Sequence, residues 1–232
     1  MKNYLIIGGS SGIGLELAKQ LTNNGDRVFS TYNETQPSFH EGEISHHALN
    51  VLDTTLDLSF VSDELNGIIY CPGSINLKPF HRIKPDAFTE DFQLQVVGAI
   101  KVIQALIPNL KAAARSSIVF FSTVAVQQGF PFHTQVAVSK GAIEGLTKAL
   151  AADYAPAIRV NCIAPSLTDT PLAERLLNTE EKKEANAQRH PLKKIGDPAE
   201  IAGIAKFLLS EQADWMTGQI IHADGGMSSL RI

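Results

Sequence analysis

Cysteine is scarce: Cys71 and Cys162 are the only two in 232 residues. Each sits inside an apolar stretch, which fits a buried thiol and offers neither a disulfide framework nor a metal site. No grouping of His, Cys, Asp and Glu has metal-ligand spacing, so no metal is expected. Tryptophan occurs once, at Trp215, and reads as packing near the carboxyl-terminal strand. Long hydrophobic runs are missing. No stretch reaches the roughly 18 to 20 apolar residues of a membrane span, and strand-like sequence begins at once without a leader pattern. A cytoplasmic protein with no membrane partner is the expectation. An excess of basic charge is lacking too: a net charge of -4 and a pI near 6.0 leave no basic face for nucleic acid.

What is present suits one large α/β domain over residues 1–232. The chain is 44% hydrophobic and 19% charged, enough to bury a sizeable core. Apolar, β-branched runs recur at Tyr4–Ile7, Arg27–Tyr32, Ile44–Leu49, Gly67–Cys71, Ser117–Phe121, Ile158–Ile163 and Gln219–Ala223. Between them, apolar residues return every three or four positions, most clearly over Asp86–Leu110, Ser139–Tyr154 and Pro198–Leu209. Alternating strands and helices predict a doubly wound parallel sheet covered on both faces, with ligands beyond the carboxyl ends of its strands. Residues 171–195 break the pattern. Leu172, Leu176 and Leu177 precede the polar run Asn178–Glu184, so the segment reads as a helical flap, either a substrate lid or a solvated surface helix. His46-His47 and Lys182-Lys183 read as solvated positions.

The first strand runs into Gly8-Gly9-Ser10-Ser11-Gly12-Ile13-Gly14 and then into a helical pattern. Glycines let a backbone approach a ligand closely, and the new helix aims free N–H groups and its positive dipole end at a phosphate. Strand, glycine turn and helix in that order predict a pyrophosphate cradle that needs no basic side chain.

The matches extend along the whole chain, which resembles the short-chain dehydrogenases/reductases. Ile7 stands in the Thr place, and Gly8, Gly12 and Gly14 in the glycine places, of the family's Thr-Gly-x-x-x-Gly-x-Gly. Asn50-Val51 is similar to the Asp-Val that contacts adenine. Tyr70-Cys71-Pro72-Gly73 occupies the Asn-Asn-Ala-Gly place, with only the glycine kept. Arg159–Ser166 followed by Thr170 resembles the Arg-Val-Asn-x-Ile-x-Pro-Gly-x-x-x-Thr segment, and Gly218-Gln219 with Asp224-Gly225-Gly226 resembles the closing strand and turn. The resemblance implies a nicotinamide dinucleotide held by Gly8, Ser10, Ser11, Gly12, Ile13, Gly14, Tyr32, Asn33, Asn50, Val51, Cys71, Pro72, Gly73, Lys140, Pro165, Ser166 and Thr170. It implies a Rossmann-type fold and a homo-oligomer, a dimer or tetramer, paired through the helices Gln93–Leu110 and Ser139–Tyr154.

The family's catalytic Asn, Ser, Tyr and Lys correspond here to Gln95, Thr123, Val136 and Lys140. Thr123 keeps a hydroxyl for a substrate oxygen, and Lys140 keeps three donors for the nicotinamide ribose. Val136 neither ionises nor hydrogen-bonds. A placed acid or base is worth about 10²- to 10⁴-fold, so a substitute is sought in His133, three residues before Val136, or in Tyr70 at a strand end. Tyr32 holds the place that an NAD-binding member fills with Asp or Glu. With Ser10, Thr31 and Asn33 as phosphate donors and Glu34 opposing, NADP is favoured and NAD remains open. Two functions follow: an NADP-linked reductase or dehydrogenase of a small carbonyl or alcohol, or a cofactor-binding sensor or scaffold with impaired turnover. Apolar residues Val124, Val126, Phe130, Phe132, Leu172 and Leu176 suggest an apolar or aromatic substrate. A Ser/His hydrolase built on Ser122 lacks the Gly-x-Ser-x-Gly elbow.

Overall fold

The computed structural model describes residues 1–34, 37 and 44–231. Seven parallel strands form one sheet: β1 (Asn3–Ile7), β2 (Arg27–Tyr32), β3 (Ile44–Ala48), β4 (Gly67–Tyr70), β5 (Ser116–Phe121), β6 (Ile158–Pro165) and β7 (Ile220–Ala223). Their order is β3-β2-β1-β4-β5-β6-β7. β4 and β5 are buried throughout, which is why their sequences are continuous apolar runs rather than alternating ones.

Helices cover both faces. On one, α1 (Gly12–Thr22) and α8 (Pro198–Leu209) bury Leu17, Leu21, Ile201 and Leu208 against Ile6, Ile69 and Val119. On the other, α3 (Gly98–Ala112) and α5 (Thr134–Tyr154) bury Val102, Leu106 and Ile143 against Leu5, Ile68 and Phe120. The strand order reverses between β1 and β4, so the crevice past their carboxyl ends is the open place in the sheet.

The expected helix over Asp86–Leu110 is instead α2 (Pro85–Phe92), a single π-helical stretch over Gln93–Val97 and then α3. Such widened turns occur mostly at functional sites. The Leu94 carbonyl in this stretch accepts the Tyr70 hydroxyl at 2.6 Å. A Cβ at Gly98 would collide with that hydroxyl, so the glycine admits Tyr70 to the helix. α5 begins at Thr134, five residues before its expected start, with His133 at the half-turn that precedes it. After β6 come a 3₁₀ turn (Pro171–Ala173), α6 (Glu174–Leu177) and α7 (Glu180–Ala187), within the stretch expected as a flap; α4 (Val124–Gln128) follows β5.

Two smaller expectations fail. Trp215 is fully exposed, because the 3₁₀ turn Glu211–Ala213 buries Ala213 and leaves the following residues outside. His46 and His47, within the strand run expected at Ile44–Leu49, are half-buried rather than solvated, and the His47 ring stacks on Phe60 at 3.9 Å. No helix among the described residues is long and apolar enough to cross a membrane, and no group of three or more His, Cys, Asp or Glu there can hold a metal ion.

Candidate functional site

A cavity of roughly 650 Å³ opens along the carboxyl edge of the sheet. One end is the glycine turn. Gly12 has φ +52, and a Cβ there would press on Thr170 at 3.2 Å, so the root of the segment after β6 rests on the turn. Gly14 is closer still: a Cβ would stand 2.5 Å from the Gly8 carbonyl oxygen. Thr31 braces the turn from β2, its Oγ1 accepting from Gly8 N at 3.0 Å and its carbonyl from Gly9 N at 2.9 Å. Ser11 precedes α1 in extended conformation and makes no side-chain cap, which leaves the first helical N–H groups directed at the cavity. This bare backbone fits a dinucleotide pyrophosphate.

The walls carry the remaining cofactor residues expected from sequence. Ser10, Ser11, Ile13, Tyr32, Asn33, Asn50, Val51, Cys71, Pro72, Gly73, Pro165, Ser166 and Thr170 all border the cavity with the three glycines. The Asn50 side chain is engaged locally, accepting from Leu52 N and donating to Asp53 Oδ1, both at 3.0 Å.

At the other end stand Thr123, His133, Val136 and Lys140. β5 delivers Thr123, which caps α4 by accepting from Ala125 N at 3.3 Å and keeps its hydroxyl proton for another partner. α5 carries Val136 and Lys140 one turn apart, so both face the same way. Ser122 Oγ donates to Glu144 Oε1 at 2.6 Å, tying the end of β5 to α5. Desolvation lowers the Lys140 pKa, an effect opposed by the neighbours Cys162, Asp91 and Cys71. Burial also pushes the thiols of Cys71 and Cys162 up to about 12, so both are inert hydrocarbon-like fillers beside the lysine. His133 Nδ1 bonds to the Pro131 carbonyl at 2.7 Å, on a loop whose neighbours Pro131 and Phe132 are exposed.

Two sequence candidates stand elsewhere. Tyr70 is outside the cavity wall, 3% exposed, with its hydroxyl committed to Leu94 and its pKa raised by desolvation, so it is a packing residue and no acid. Gln95 is also absent from the wall. Its Nε2 donates to both oxygens of Asp91 at 2.8 Å, and its Oε1 is buried without a partner beside Gly73, where Lys140 Nζ also converges. Of the apolar residues expected around a substrate, Val124, Phe130, Leu172 and Leu176 line the cavity; Val126 and Phe132 do not. Phe132 turns outward, because its φ of 70 reverses the chain at that point.

The structure adds residues that no motif announced. Asp91 in α2 is buried and accepts from Ser74 Oγ, Ser139 Oγ (2.5 Å) and Gln95, joining three elements behind Lys140. Its place four residues before Gln95 on a helix was the available signal. His190, after α7, is 3% exposed and borders the cavity, with Nε2 2.8 Å from Ser166 Oγ. Nothing in its sequence surroundings marked it.

A doubly wound parallel sheet with a glycine turn at its switch point defines the class, an α/β protein of Rossmann type. Residues 8–228 match the family described as enoyl-(acyl carrier protein) reductase. A tropinone reductase homologue from Arabidopsis thaliana is 30% identical over 98% of this chain and 92% of its own, and the human dehydrogenase/reductase SDR family member 4 is 27% identical over 98% and 88%. A solved short chain dehydrogenase family protein from Francisella tularensis superposes with a TM-score of 0.89 over 99% of this chain and 100% of its own, at 30% identity. The chain belongs to the short-chain dehydrogenase/reductase family.

Proposed function

We propose that the protein is an NADP-linked oxidoreductase that interconverts a small carbonyl compound and its alcohol. The observation that carries this is one continuous cavity running from the bare glycine turn to Thr123 and Lys140. Gly8, Ser10, Ser11, Gly12, Ile13 and Gly14 hold the pyrophosphate, and Asn50 and Val51 flank the adenine. Cys71, Pro72 and Gly73 pass beneath the nicotinamide riboside, with Pro165, Ser166 and Thr170 at the nicotinamide itself. Tyr32 and Asn33 close the adenosine ribose end, where the lack of Asp or Glu at Tyr32 favours a 2′-phosphate over free hydroxyls. When bound, the reduced nicotinamide supplies the hydride. Thr123 donates its hydroxyl to the carbonyl oxygen, and Lys140 binds the ribose hydroxyls. Gln95, held by Asp91, directs its carbonyl oxygen toward the lysine. Val124, Phe130, Leu172 and Leu176 favour an apolar or aromatic substrate, with residues 171–195 as the flap over it. The single domain, the cytoplasmic setting and the homo-oligomer are read on the same footing, from the family resemblance and the sequence.

Val136 favours a second reading. In the place where the family's tyrosine stands, it faces the cavity with hydrocarbon, which suits a sensor or scaffold that binds cofactor without turnover.

Fluorescence titration with NADPH and NADH in parallel tests the cofactor reading. Tighter binding of NADPH is expected, with a loss of about tenfold or more in Gly14→Ala, whose new Cβ must displace the Gly8 carbonyl. Binding of neither nucleotide defeats the proposal. NADPH binding without oxidation by any aldehyde, ketone or 1,2-diketone moves the case to the second reading.

A further inference from the structure

Resting on the carbonyl-reductase reading, we propose that Ser166 and His190 are the proton relay that serves the substrate oxygen in place of the group missing at Val136. Three observations carry this. The first is the fixed state of the ring. His190 Nδ1 lies 2.9 Å from the carbonyl oxygen of Asn186, which only accepts, so Nδ1 carries a proton and Nε2 is the exchangeable position. The second is what Nε2 meets: the Ser166 hydroxyl, 2.8 Å away at the end of β6, bordering the same cavity as Thr123 and Lys140. Besides the ring, the Ser166 hydroxyl has one contact among the described residues, a long donation to Met227 Sδ at 3.5 Å.

The third is a route to solvent. Ser166 and His190 also border a second depression, whose rim holds the exposed residues Lys194, Glu200 and His222. His190 is therefore buried yet set between the cavity and water. His133, the other histidine at the cavity, has its Nδ1 tied to the Pro131 carbonyl of its own loop.

The step balances. With His190 as imidazolium, Nε2 donates to Ser166 Oγ and frees the serine proton. Hydride arriving at the carbonyl carbon sends the π pair of the C=O bond to oxygen. That oxygen takes the Ser166 proton, Ser166 takes the Nε2 proton, and the ring is left neutral with its Nδ1 proton still on the Asn186 carbonyl. A bound reduced nicotinamide would supply that hydride and its electron pair, and Nε2 is reprotonated from the rim. Alcohol oxidation runs the same relay backwards. The charged and titratable groups around the ring are Arg189 on its own segment, Asp224 and His222 from β7 and the turn after it, and Lys194 with Glu200, which pair at 2.5 Å. Asp224 is turned away, accepting from Gly226 N and Ser228 N at 2.9 Å.

The test compares wild type, His190→Asn, His190→Ala, Ser166→Ala and His133→Asn in NADPH oxidation by a carbonyl panel headed by benzil. NADPH titration reports whether each variant is folded and loaded. In the substrate-free protein, ¹⁵N NMR of the imidazoles is expected to show neutral His190 with its proton on Nδ1. The His190 variants are expected to bind NADPH within about threefold of wild type, and the His190 and Ser166 variants, each measured at saturating NADPH, are expected to lose about 10²- to 10⁴-fold in kcat. They should also lose the fall of the rate on the alkaline side of the pH profile, and added imidazole should restore part of the rate to His190→Ala. Unchanged kcat in the His190 variants, a loss confined to His133→Asn, an Nε2–H tautomer, or loss without imidazole rescue each overturns the relay. A wild type that binds NADPH but reduces no carbonyl overturns the reductase reading and the relay together, whereas an active wild type with an equally active His190→Asn overturns the relay alone.

Discussion

Asp91 Oδ2 accepts the Ser139 hydroxyl at 2.5 Å, joining α2 to α5 one residue before Lys140. Ser74 and the Gln95 amide nitrogen, which both oxygens share, complete the carboxylate's shell, so all three donors depend on one side chain. A buried donor that loses its partner costs about 1–3 kcal/mol. Asp91→Ala orphans three groups and is expected to destabilise the protein by at least about 3 kcal/mol. Asp91→Asn keeps one accepting oxygen and should cost less than the alanine change. Urea unfolding of the three proteins decides this; equal midpoints for wild type and Asp91→Ala would show that the network is not structural.

The lysine in front of that network gives a prediction of opposite sign. Desolvation holds the Lys140 pKa below its ordinary 10.5. Between the folded value and 10.5 the unfolded chain binds more protons, so the stability of the protein without cofactor rises with pH across that window, and below it the full penalty of burying the charge is present. Lys140→Met removes the charge and keeps most of the volume. It is expected to raise the melting temperature without cofactor at neutral pH, by an amount that shrinks as pH rises toward 10.5, and to abolish most NADPH binding. Thermal scans across pH check both parts. A gain that grows with pH would contradict the burial argument.

The fold was legible because each signal was local. β4 and β5 are unbroken apolar runs because both their faces are covered, and the glycine turn stands between β1 and α1 because no other residue type allows the Gly14 contact with the Gly8 carbonyl. What stayed hidden depends on distance in sequence. Ser166 and His190 lie 24 residues apart and meet only because α7 folds back across the end of β6. Ser74 and Ser139 meet Asp91 from 17 and 48 residues away. Tyr70 invited a chemical reading from its strand end, but its neighbours settle it otherwise: Gly98 makes room for the hydroxyl and Leu94 accepts it. Gln95 lies in the π-helical stretch rather than in a continuous helix, and Asp91 engages its amide nitrogen, so only its Oε1 is left beside Gly73.

On the proposed function Thr123 has two duties, which paired measurements can separate. Its Oγ1 accepts from Ala125 N, capping α4, while the hydroxyl proton remains for a substrate oxygen. Loss of such a cap costs about 1 kcal/mol, whereas loss of a donor placed at a developing oxyanion costs about 10²- to 10³-fold in kcat. Thr123→Ser keeps both the acceptor and the donor and should stay within about threefold of wild type in stability and rate. Thr123→Val keeps the shape and removes both, so it should lower stability by about 1 kcal/mol and kcat by about 10²-fold or more, with NADPH affinity nearly unchanged. Steady-state kinetics with paired unfolding measurements separate the two effects. A valine variant that loses stability but keeps its kcat would confine Thr123 to capping and leave the substrate oxygen to other donors at the cavity.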